Sequence, residues 1–273
     1  MRRRPRVDLE YHSTMGTKAI DPQSIRNVTM IGDPETTARL IQRLRRSAGT
    51  VGSGEIHWST ARVEHTIRIA ELSGHSPAVE LERSIRVADG IIALAHAATP
   101  HTPQLETMLR IADDHQVARL CLIDALDHPA ADFNGCVQSI ADTRGAVPLT
   151  LQIPIGLGST FEGVIDLLPM WALEPLAAEI YGPHWELAEE RYRLLIKTVM
   201  EQDTPGATAF HALRDIPLEQ LQHRIRSLTR IGDIVPILCG APPTLDEISL
   251  LDAIIRYLPS PLEVCQPEHA LDY

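Results

Sequence analysis

Four turns carry the residues of this chain that could do chemistry, because each follows an apolar run typical of a buried strand. They come after Ile31, Ala70, Ile123 and Cys239. The first turn reads Gly-Asp-Pro-Glu-Thr-Thr from Gly32 and opens a helical pattern, which is where a phosphate-binding loop lies in nucleotide-binding folds. It lacks the further glycines and the lysine of such a loop. The turn is therefore a nucleotide site of another kind, a degraded one, or an ordinary strand–turn–helix corner.

Short strands and amphipathic helices alternate through the first half of the chain. The predicted strands are residues 27–31, 65–70, 90–96 and 118–124. The predicted helices are residues 36–46, 77–89, 102–115 and 131–143, and the second has its apolar positions at Val79, Leu81, Ile85 and Val87. This alternation predicts parallel strands joined by helical crossovers in an α/β sheet. Ligands bind beyond the carboxyl ends of the strands in such sheets, which is where the four turns lie.

The alternation changes near Pro148. Residues 149–156 and 161–168 predict an antiparallel pair, and the helix at 184–203 follows. A loop at Thr204, a helix at 218–228, a buried strand at 233–240 and a helix at 245–258 complete the pattern. Gly156 and Gly158 predict a turn rather than a dinucleotide loop, because no third glycine follows in place. We expect an inserted subdomain and then a return to the sheet.

Composition excludes several classes of protein. The net charge of -11 argues against a sequence-independent DNA or RNA binder. The basic run at residues 1–6 has no apolar stretch behind it, so it predicts a solvated arm or a weak contact with acidic partners rather than a signal peptide or membrane anchor. The four cysteines and twelve histidines show no metal-ligand spacing. We therefore expect a cytoplasmic protein without a zinc site or disulfide framework.

Three long stretches together resemble one family. Residues 73–133, beginning "SGHSPAVELERSIRVADG", are similar to the GTPase domain of bacterial translation elongation factor G, from its switch II to its guanine-binding loop. "PLTLQIPIGLGSTFEGVIDLL" resembles the entry into that family's inserted G prime subdomain, and "LLDAIIRYLPSPLEV" resembles the end of its G domain. The resemblance runs in order from Arg26 to Val264. It implies a Ras-like P-loop GTPase fold, an α/β doubly wound, mostly parallel sheet with an inserted α+β subdomain.

The resemblance also implies a division of the chain. A flexible arm would occupy residues 1–25, a GTPase-like domain 26–150 and 232–264, a G prime-like insertion 151–231, and a tail 265–273. We expect no counterpart here of the domains that follow in a full elongation factor.

The family's phosphate loop does not carry over residue by residue. The resemblance places Gly32, Thr36 and Thr37 at the nucleotide, with Thr36 also at Mg²⁺, but Glu35 falls where the lysine should be. Pro34 supplies no N–H, and the loop is about three residues too short to wrap a phosphate. Two unit charges about 4 Å apart interact by roughly 4 kcal/mol at an effective dielectric of 20, so the inverted charge removes several kcal/mol from triphosphate binding. We expect the threonines to serve as helix caps instead.

Both switches are altered as well. Between Gly49 and His65 there is no room for the long switch I loop with its Mg²⁺-binding threonine. The switch II motif Asp-Thr-Pro-Gly-His reads Glu71 to His75. Gly74 matches the glycine whose amide meets the γ-phosphate, His75 matches the histidine that orients water, and Glu71 could reach a metal through water. Without a held phosphate, we expect His75 to be a surface loop histidine.

The guanine-binding motif Asn-Lys-x-Asp reads Asp124-Ala-Leu-Asp127. Asp127 can still accept a hydrogen bond from a guanine edge, whereas Asp124 has lost the amide donor and Ala125 the aliphatic stem over the base. The closing Ser-Ala loop has become Ala241-Pro242. A lone aspartate at a strand end is equally a helix N-cap or turn residue.

Every motif that touches GTP is degraded while the strands and helices stay patterned, which random decay would not leave. We therefore predict a pseudo-GTPase, a binding or scaffold module that holds no cofactor, with a vestigial catalytic residue and vestigial GTP and Mg²⁺ positions. One alternative is a residual GTPase that binds GTP or GDP with Mg²⁺ weakly. A non-functional gene fragment and a different small ligand in the remodelled cleft are the others.

The helix at 185–202 is the predicted contact surface. Its acids are Glu186, Glu189, Glu190 and Glu201, and its apolar residues for packing are Leu187, Tyr192, Leu195, Ile196 and Val199. In the resembled family this subdomain meets the ribosomal stalk protein, so the implied partner is the ribosome or its stalk. The other interpretation is a solvated acidic face. We expect no DNA or membrane partner.

Overall fold

The computed structural model describes residues 21–50, 54–60, 63–172, 179, 181–202, 217–241 and 247–264. Most of the predicted arm, the predicted tail and the loop at Thr204 lie outside the described residues. The division into arm, domain, insertion and tail stays a prediction.

A mostly parallel sheet organises the chain. In the described part, seven strands lie in the order β2-β3-β1-β4-β5-β9-β6, and each neighbouring pair is parallel except β2 and β3. Strands β7 and β8 form a separate antiparallel pair, which confirms that prediction. The strands are β1 Ile25–Gly32, β2 Glu55–Thr60, β3 Val63–Ser73, β4 Gly90–His96, β5 Ala118–Asp124, β6 Pro148–Thr150, β7 Gln152–Ile155, β8 Gly163–Asp166 and β9 Val235–Cys239.

Helices cover both faces of the sheet. They are α1 Pro34–Ser47, α2 Ala78–Arg86, α3 Pro103–Asp114, α4 Phe133–Ala141, α5 Leu167–Ala172, α6 Trp185–Gln202, α7 Leu218–Ile231 and α8 Glu247–Tyr257. Side chains of α1, α6, α7 and α8 pack in one core, and those of α2, α3 and α4 pack in the other. Met30 and Leu122 point into the first core, whereas their neighbours Ile31 and Ile123 point into the second. Because both faces are buried, the strands read as continuous apolar runs.

The segment that the sequence predicts as an insertion shares the first core. Tyr192, Leu195, Ile196 and Val199 of α6 are buried there beside residues of β7 and β8, as predicted. Leu187 does not follow them, because its side chain is 42% exposed. The expectation that Leu187 packs into the core was therefore wrong.

One strand was missed, and two further expectations were wrong in detail. Strand β2 was not predicted, because a short edge strand with only Ile56 fully buried carries a weak apolar pattern. Strand β3 continues to Ser73, since its pairing with β1 extends that far, so the turn begins after Ser73 rather than Ala70. Val79 and Val87 are each 79% exposed, because α2 turns only Leu81 and Ile85 toward the core.

A buried arginine satisfies backbone carbonyl groups at the amino edge of the sheet. Arg119, at the start of β5, is fully buried and donates to the carbonyl oxygens of Leu109 (3.1 Å), Gly145 (3.1 Å) and Gly232. It also lies 3.2 Å from a carboxylate oxygen of Asp113. One guanidinium therefore satisfies carbonyl groups from three separate segments.

Two further arginines bind the end of α8, and one of them also pairs with a residue near the end of the described chain. Arg26 and Arg226 both donate to the carbonyl oxygen of Ile255, at 3.1 and 2.8 Å. Arg226 also pairs with Glu263 at 2.5 Å, and the N–H of Ser260 donates to the same carboxylate at 2.8 Å. Burial opposes ionisation, but the hydrogen bonds from Ser260 and Arg226 prevail and lower the pKa of Glu263 to about 2.

Candidate functional site

The predicted site residues meet at the carboxyl edge of the sheet. Gly32 at the end of β1 pairs with Ser73 at the end of β3, and His96 at the end of β4 pairs with Asp124 at the end of β5. These registers align the turns that the sequence predicted to carry chemistry. Ala241, which is buried, follows β9 at the same edge, whereas Pro242 lies outside the described residues.

The carboxylate of Asp33 accepts the hydrogen bonds that the first turn offers. Asp33 is the N-cap of α1, and its Oδ1 accepts from both the N–H and the hydroxyl of Thr36, each at 2.9 Å. The N–H of Thr37 donates to the Asp33 carbonyl oxygen at 2.9 Å, and Pro34 has no N–H to offer. The expected threonine cap was therefore wrong, because the helix begins earlier and Asp33 caps it.

The charge of Asp33 is stabilised where it lies. The N–H of Thr36, followed by its hydroxyl, lowers the pKa of Asp33, and the N–H of Glu35 and the Arg39 guanidinium act in the same direction. An ionised carboxylate thus occupies the N-terminus of α1, the position at which a helix otherwise favours a phosphate. Thr37, placed at the nucleotide by resemblance, is 1% exposed, and its hydroxyl has no partner among the described residues.

Two glycines bring the first turn into direct contact with the turn that resembles switch II. The N–H of Gly74 donates to the carbonyl oxygen of Gly32 at 2.8 Å. A Cβ on Gly32 would lie 2.7 Å from the Leu94 Cβ, so β1 and β4 are in contact at this point. The amide that resemblance assigns to the γ-phosphate is therefore engaged within the protein.

No hydrogen bond joins the predicted catalytic residue His75 to the predicted metal residues Thr36 and Glu71 in the described part of the chain. His75 is exposed, and its own N–H donates to the Ser73 hydroxyl at 3.2 Å. Glu71 is exposed within β3, and the Thr36 hydroxyl already bonds Asp33. The described residues contain no group of three or more His, Cys, Asp or Glu side chains suited to a metal ion.

The guanine-loop turn contains one exposed aspartate, Asp127, and one half-buried aspartate, Asp124. Asp127 is exposed, while Leu126 between the two is fully buried and its carbonyl accepts from Gly158 at 2.8 Å. Burial raises the pKa of Asp124, and its Oδ1 has no hydrogen-bond partner in the described part of the chain. Ala125 has a positive φ of 61°, an uncommon backbone state for a residue with a side chain.

A histidine pair beside this turn was not predicted. The rings of His96 and His128 meet edge to face with centroids 5.8 Å apart. Each Nδ1 accepts a backbone N–H, from Ala98 at 3.2 Å and from Ala130 at 3.1 Å. The signal in the sequence was the position of His96 at the end of a predicted strand, next to the strand that ends in Asp124.

Comparison with known proteins gives the wider context. The family model for the elongation factor Tu GTP binding domain matches residues 40–260, so the match starts after the Asp33 corner. The chain is 36% identical over 212 residues to elongation factor G of Wolbachia pipientis subsp. Culex pipiens (strain wPip), and 37% identical over 213 residues to that of Orientia tsutsugamushi (strain Ikeda). The alignments cover 74% of this chain and 31% and 30% of those proteins, so the chain spans less than a third of their length.

A solved structure confirms the fold. A protein from Thermus thermophilus matches with a TM-score of 0.71 and 18% identity, over 88% of this chain and 41% of that one.

None of the described helices is long and apolar enough to cross a membrane.

Proposed function

The chain belongs to the family of elongation factor Tu GTP-binding domains, and we propose that it keeps the fold of that family without its nucleotide chemistry. In this proposal it is a pseudo-GTPase, a cytoplasmic binding or scaffold module of the elongation factor G type. It holds neither GTP nor Mg²⁺ and works in translation through protein or ribosome contacts.

One observation carries the proposal: the carboxylate of Asp33 lies at the N-terminus of α1, where the family binds phosphate. The Thr36 N–H that would meet an anion donates to Asp33 at 2.9 Å. The Gly74 N–H donates to Gly32 at 2.8 Å, so a γ-phosphate would have to break that bond. An incoming triphosphate would also meet the charges of Asp33 and Glu35, each pair worth roughly 4 kcal/mol at about 4 Å and an effective dielectric of 20.

Calorimetric titration with GTP and GDP in the presence of Mg²⁺ tests this proposal. We expect no saturable heat, which means a dissociation constant weaker than about 1 mM. The Asp127→Ala variant serves as the matched control. Micromolar binding that the control abolishes would instead establish the alternative, a residual GTPase that recognises guanine through Asp127.

The proposed contact surface is α6, though its acidic face is narrower than the sequence suggested. Arg193 pairs with Glu189 at 2.7 Å, and Lys197 lies 3.7 Å from Glu201, each one helical turn apart. Glu186 and Glu190 are exposed and have no ion-pair partner among the described residues. These two acids, beside exposed Leu187 and Leu194, are the groups we propose for a ribosome or stalk contact.

Co-sedimentation with purified bacterial ribosomes tests that contact. The double variant Glu186→Lys, Glu190→Lys should lose binding at least about fivefold, as expected when charges across an interface are reversed. The double variant Glu80→Lys, Glu106→Lys makes the same change in net charge at exposed positions on α2 and α3 and should leave binding unchanged. Equal loss in both variants would show that net charge, rather than α6, decides the binding.

A further inference from the structure

Three hollows meet at one side chain, Val87, which follows the end of α2. The first, of about 450 Å³, lies among the ends of α2, α3 and α7 and residues 259–264. The second, of about 430 Å³, lies over β1 and β3, and the third, of about 380 Å³, lies on the outer side of α2. Val87 lines all three. We call these hollows together the Val87 surface, and the third of them extends from Val87 along α2 to Val79.

Large apolar side chains on this surface have no cover among the described residues. Eight large hydrophobic side chains are exposed in the described chain, and four of them border the Val87 surface: Val79 (79%), Val87 (79%), Ile231 (52%) and Leu262 (64%). Helix α2 already buries Leu81 and Ile85, so its two valines are not needed for the core. Clustered exposed apolar groups of this kind mark interaction sites.

The charges on the Val87 surface are unbalanced. Each acid that lines the hollows already has a partner inside the protein: Asp89 with Asn27, Glu82 with His115, Glu55 with Arg68, and Glu263 with Arg226. Arg83 and Arg230 also line the hollows, and neither has a hydrogen bond or ion pair within the described part of the chain. The surface therefore presents apolar groups beside unpaired guanidinium groups on a chain whose net charge is -11.

We propose that the Val87 surface docks an acidic amphipathic segment of a partner protein. Aliphatic side chains of the segment fill the hollows around Val87, and its carboxylates pair with Arg83 and Arg230. A protein segment suits the surface better than a nucleic acid, because the exposed side chains are aliphatic and the rest of the chain repels a polyanion. The site goes beyond the proposed function, since it shares no residue with the degraded nucleotide turns or with α6.

Fluorescence anisotropy with labelled peptides tests the proposal on the full chain. The probe is a helical peptide about fifteen residues long with leucines at i, i+3, i+4 and i+7 and glutamates between them. Its matched partner has lysine at every glutamate position. We expect the glutamate peptide to bind more tightly than the lysine peptide, and Val87→Asp or Arg83→Glu to weaken it at least about fivefold.

Two controls keep the outcome decisive. Val63→Asp makes the same change at another exposed valine, which lines none of the three hollows, and should leave peptide binding unaltered. Arg83→Glu should in turn improve binding of the lysine peptide, a gain that misfolding cannot produce. Adding GTP and Mg²⁺ should change neither affinity, and a calorimetric GTP signal with intact peptide binding would count against the pseudo-GTPase proposal alone.

Three results would overturn the docking proposal. One is equal binding of the two peptides, or binding that Arg83→Glu does not alter. Another is displacement of the glutamate peptide by a single-stranded RNA of about the same length, which would identify the surface as a phosphate-binding one. The third is self-association that Val87→Asp abolishes in sedimentation equilibrium, since the surface would then dock a second copy of the chain.

Discussion

At the carboxyl edge of the sheet, backbone N–H groups are satisfied by an aspartate and a carbonyl, while at the amino edge backbone carbonyls are satisfied by arginines. Asp33 accepts from Thr36 in the open, exposed to solvent. Arg119 donates to three carbonyls and is fully enclosed. At both edges a charged side chain satisfies backbone groups. The side chain is an exposed anion at the carboxyl edge and a buried cation at the amino edge.

This difference in burial indicates that the amino edge contributes mainly to stability, whereas the carboxyl edge is the one open to ligands. Removing an enclosed cation leaves several buried carbonyls without donors, which is costly, whereas an exposed carboxylate can be exchanged for water at little cost. Substitutions at the carboxyl edge should therefore cost less stability than substitutions at the amino edge. The comparison leads to three stability predictions.

The largest effect is expected at Arg119. Replacing it with methionine removes the donor from the carbonyls of Leu109, Gly145 and Gly232, and should lower the free energy of unfolding by roughly 3–5 kcal/mol. Urea denaturation measures this loss. The control is Arg144→Met, which breaks an ion pair of 2.6 Å whose arginine is 74% exposed and should cost less than about 1 kcal/mol. If both variants lost a similar free energy of unfolding, the buried arginine would stabilise the fold no more than the exposed one, and the distinction between the edges would fail.

A smaller, pH-dependent effect is expected at Glu263. Its pKa is lowered to about 2 from an ordinary value of 4.5, so it binds fewer protons in the folded state and stabilises the fold above pH 4.5. That contribution, on the order of 1–3 kcal/mol for charged hydrogen bonds, should fade as the pH falls from 4.5 toward 2. Glu263→Gln should lose it at neutral pH and show a flatter acid profile.

The matched control for Glu263 is Glu201→Gln on α6. The Glu201 side chain is 60% exposed and lies 3.7 Å from Lys197, so its replacement should leave both the stability and its acid dependence unchanged. An acid profile of Glu263→Gln that matches the parent chain would show that the pairing with Arg226 adds no stability.

The smallest effect is expected at the carboxyl edge. Asp33→Ala removes the N-cap of α1 and should cost about 1 kcal/mol, whereas Asp127→Ala at the same edge should stay within about 0.5 kcal/mol. Millimolar sulfate should then stabilise Asp33→Ala more than the parent chain, because the helix N-terminus is free to take an outside anion. No sulfate effect in the variant would mean that Asp33 does not fill an anion position.

The alternation of elements could be predicted from the sequence, since strands buried on both faces form continuous apolar runs around Met30 and Leu122. The turns after Ile123 and Cys239 follow strands that end close to where the sequence predicted, whereas the turn predicted after Ala70 begins after Ser73 because β3 pairs with β1 up to that residue. The Asp33 cap was missed because a proline at the first helical position moves the start of the helix, and the threonines offered a competing cap. The role of Arg119 was missed because its carbonyl partners come from distant parts of the chain, although a lone arginine in an apolar strand was a visible signal.

Amide hydrogen exchange by NMR tests the closed carboxyl edge most directly. The N–H of buried Gly74 should exchange slowly in the free protein because it donates to the carbonyl oxygen of Gly32, whereas the N–H of Thr36, which donates to exposed Asp33, should exchange faster. Adding GTP and Mg²⁺ to about 5 mM should change neither their exchange rates nor their chemical shifts if binding is weaker than millimolar. Rapid exchange of the Gly74 N–H in the free protein, followed by a saturable shift and protection on adding GTP, would contradict the pseudo-GTPase proposal.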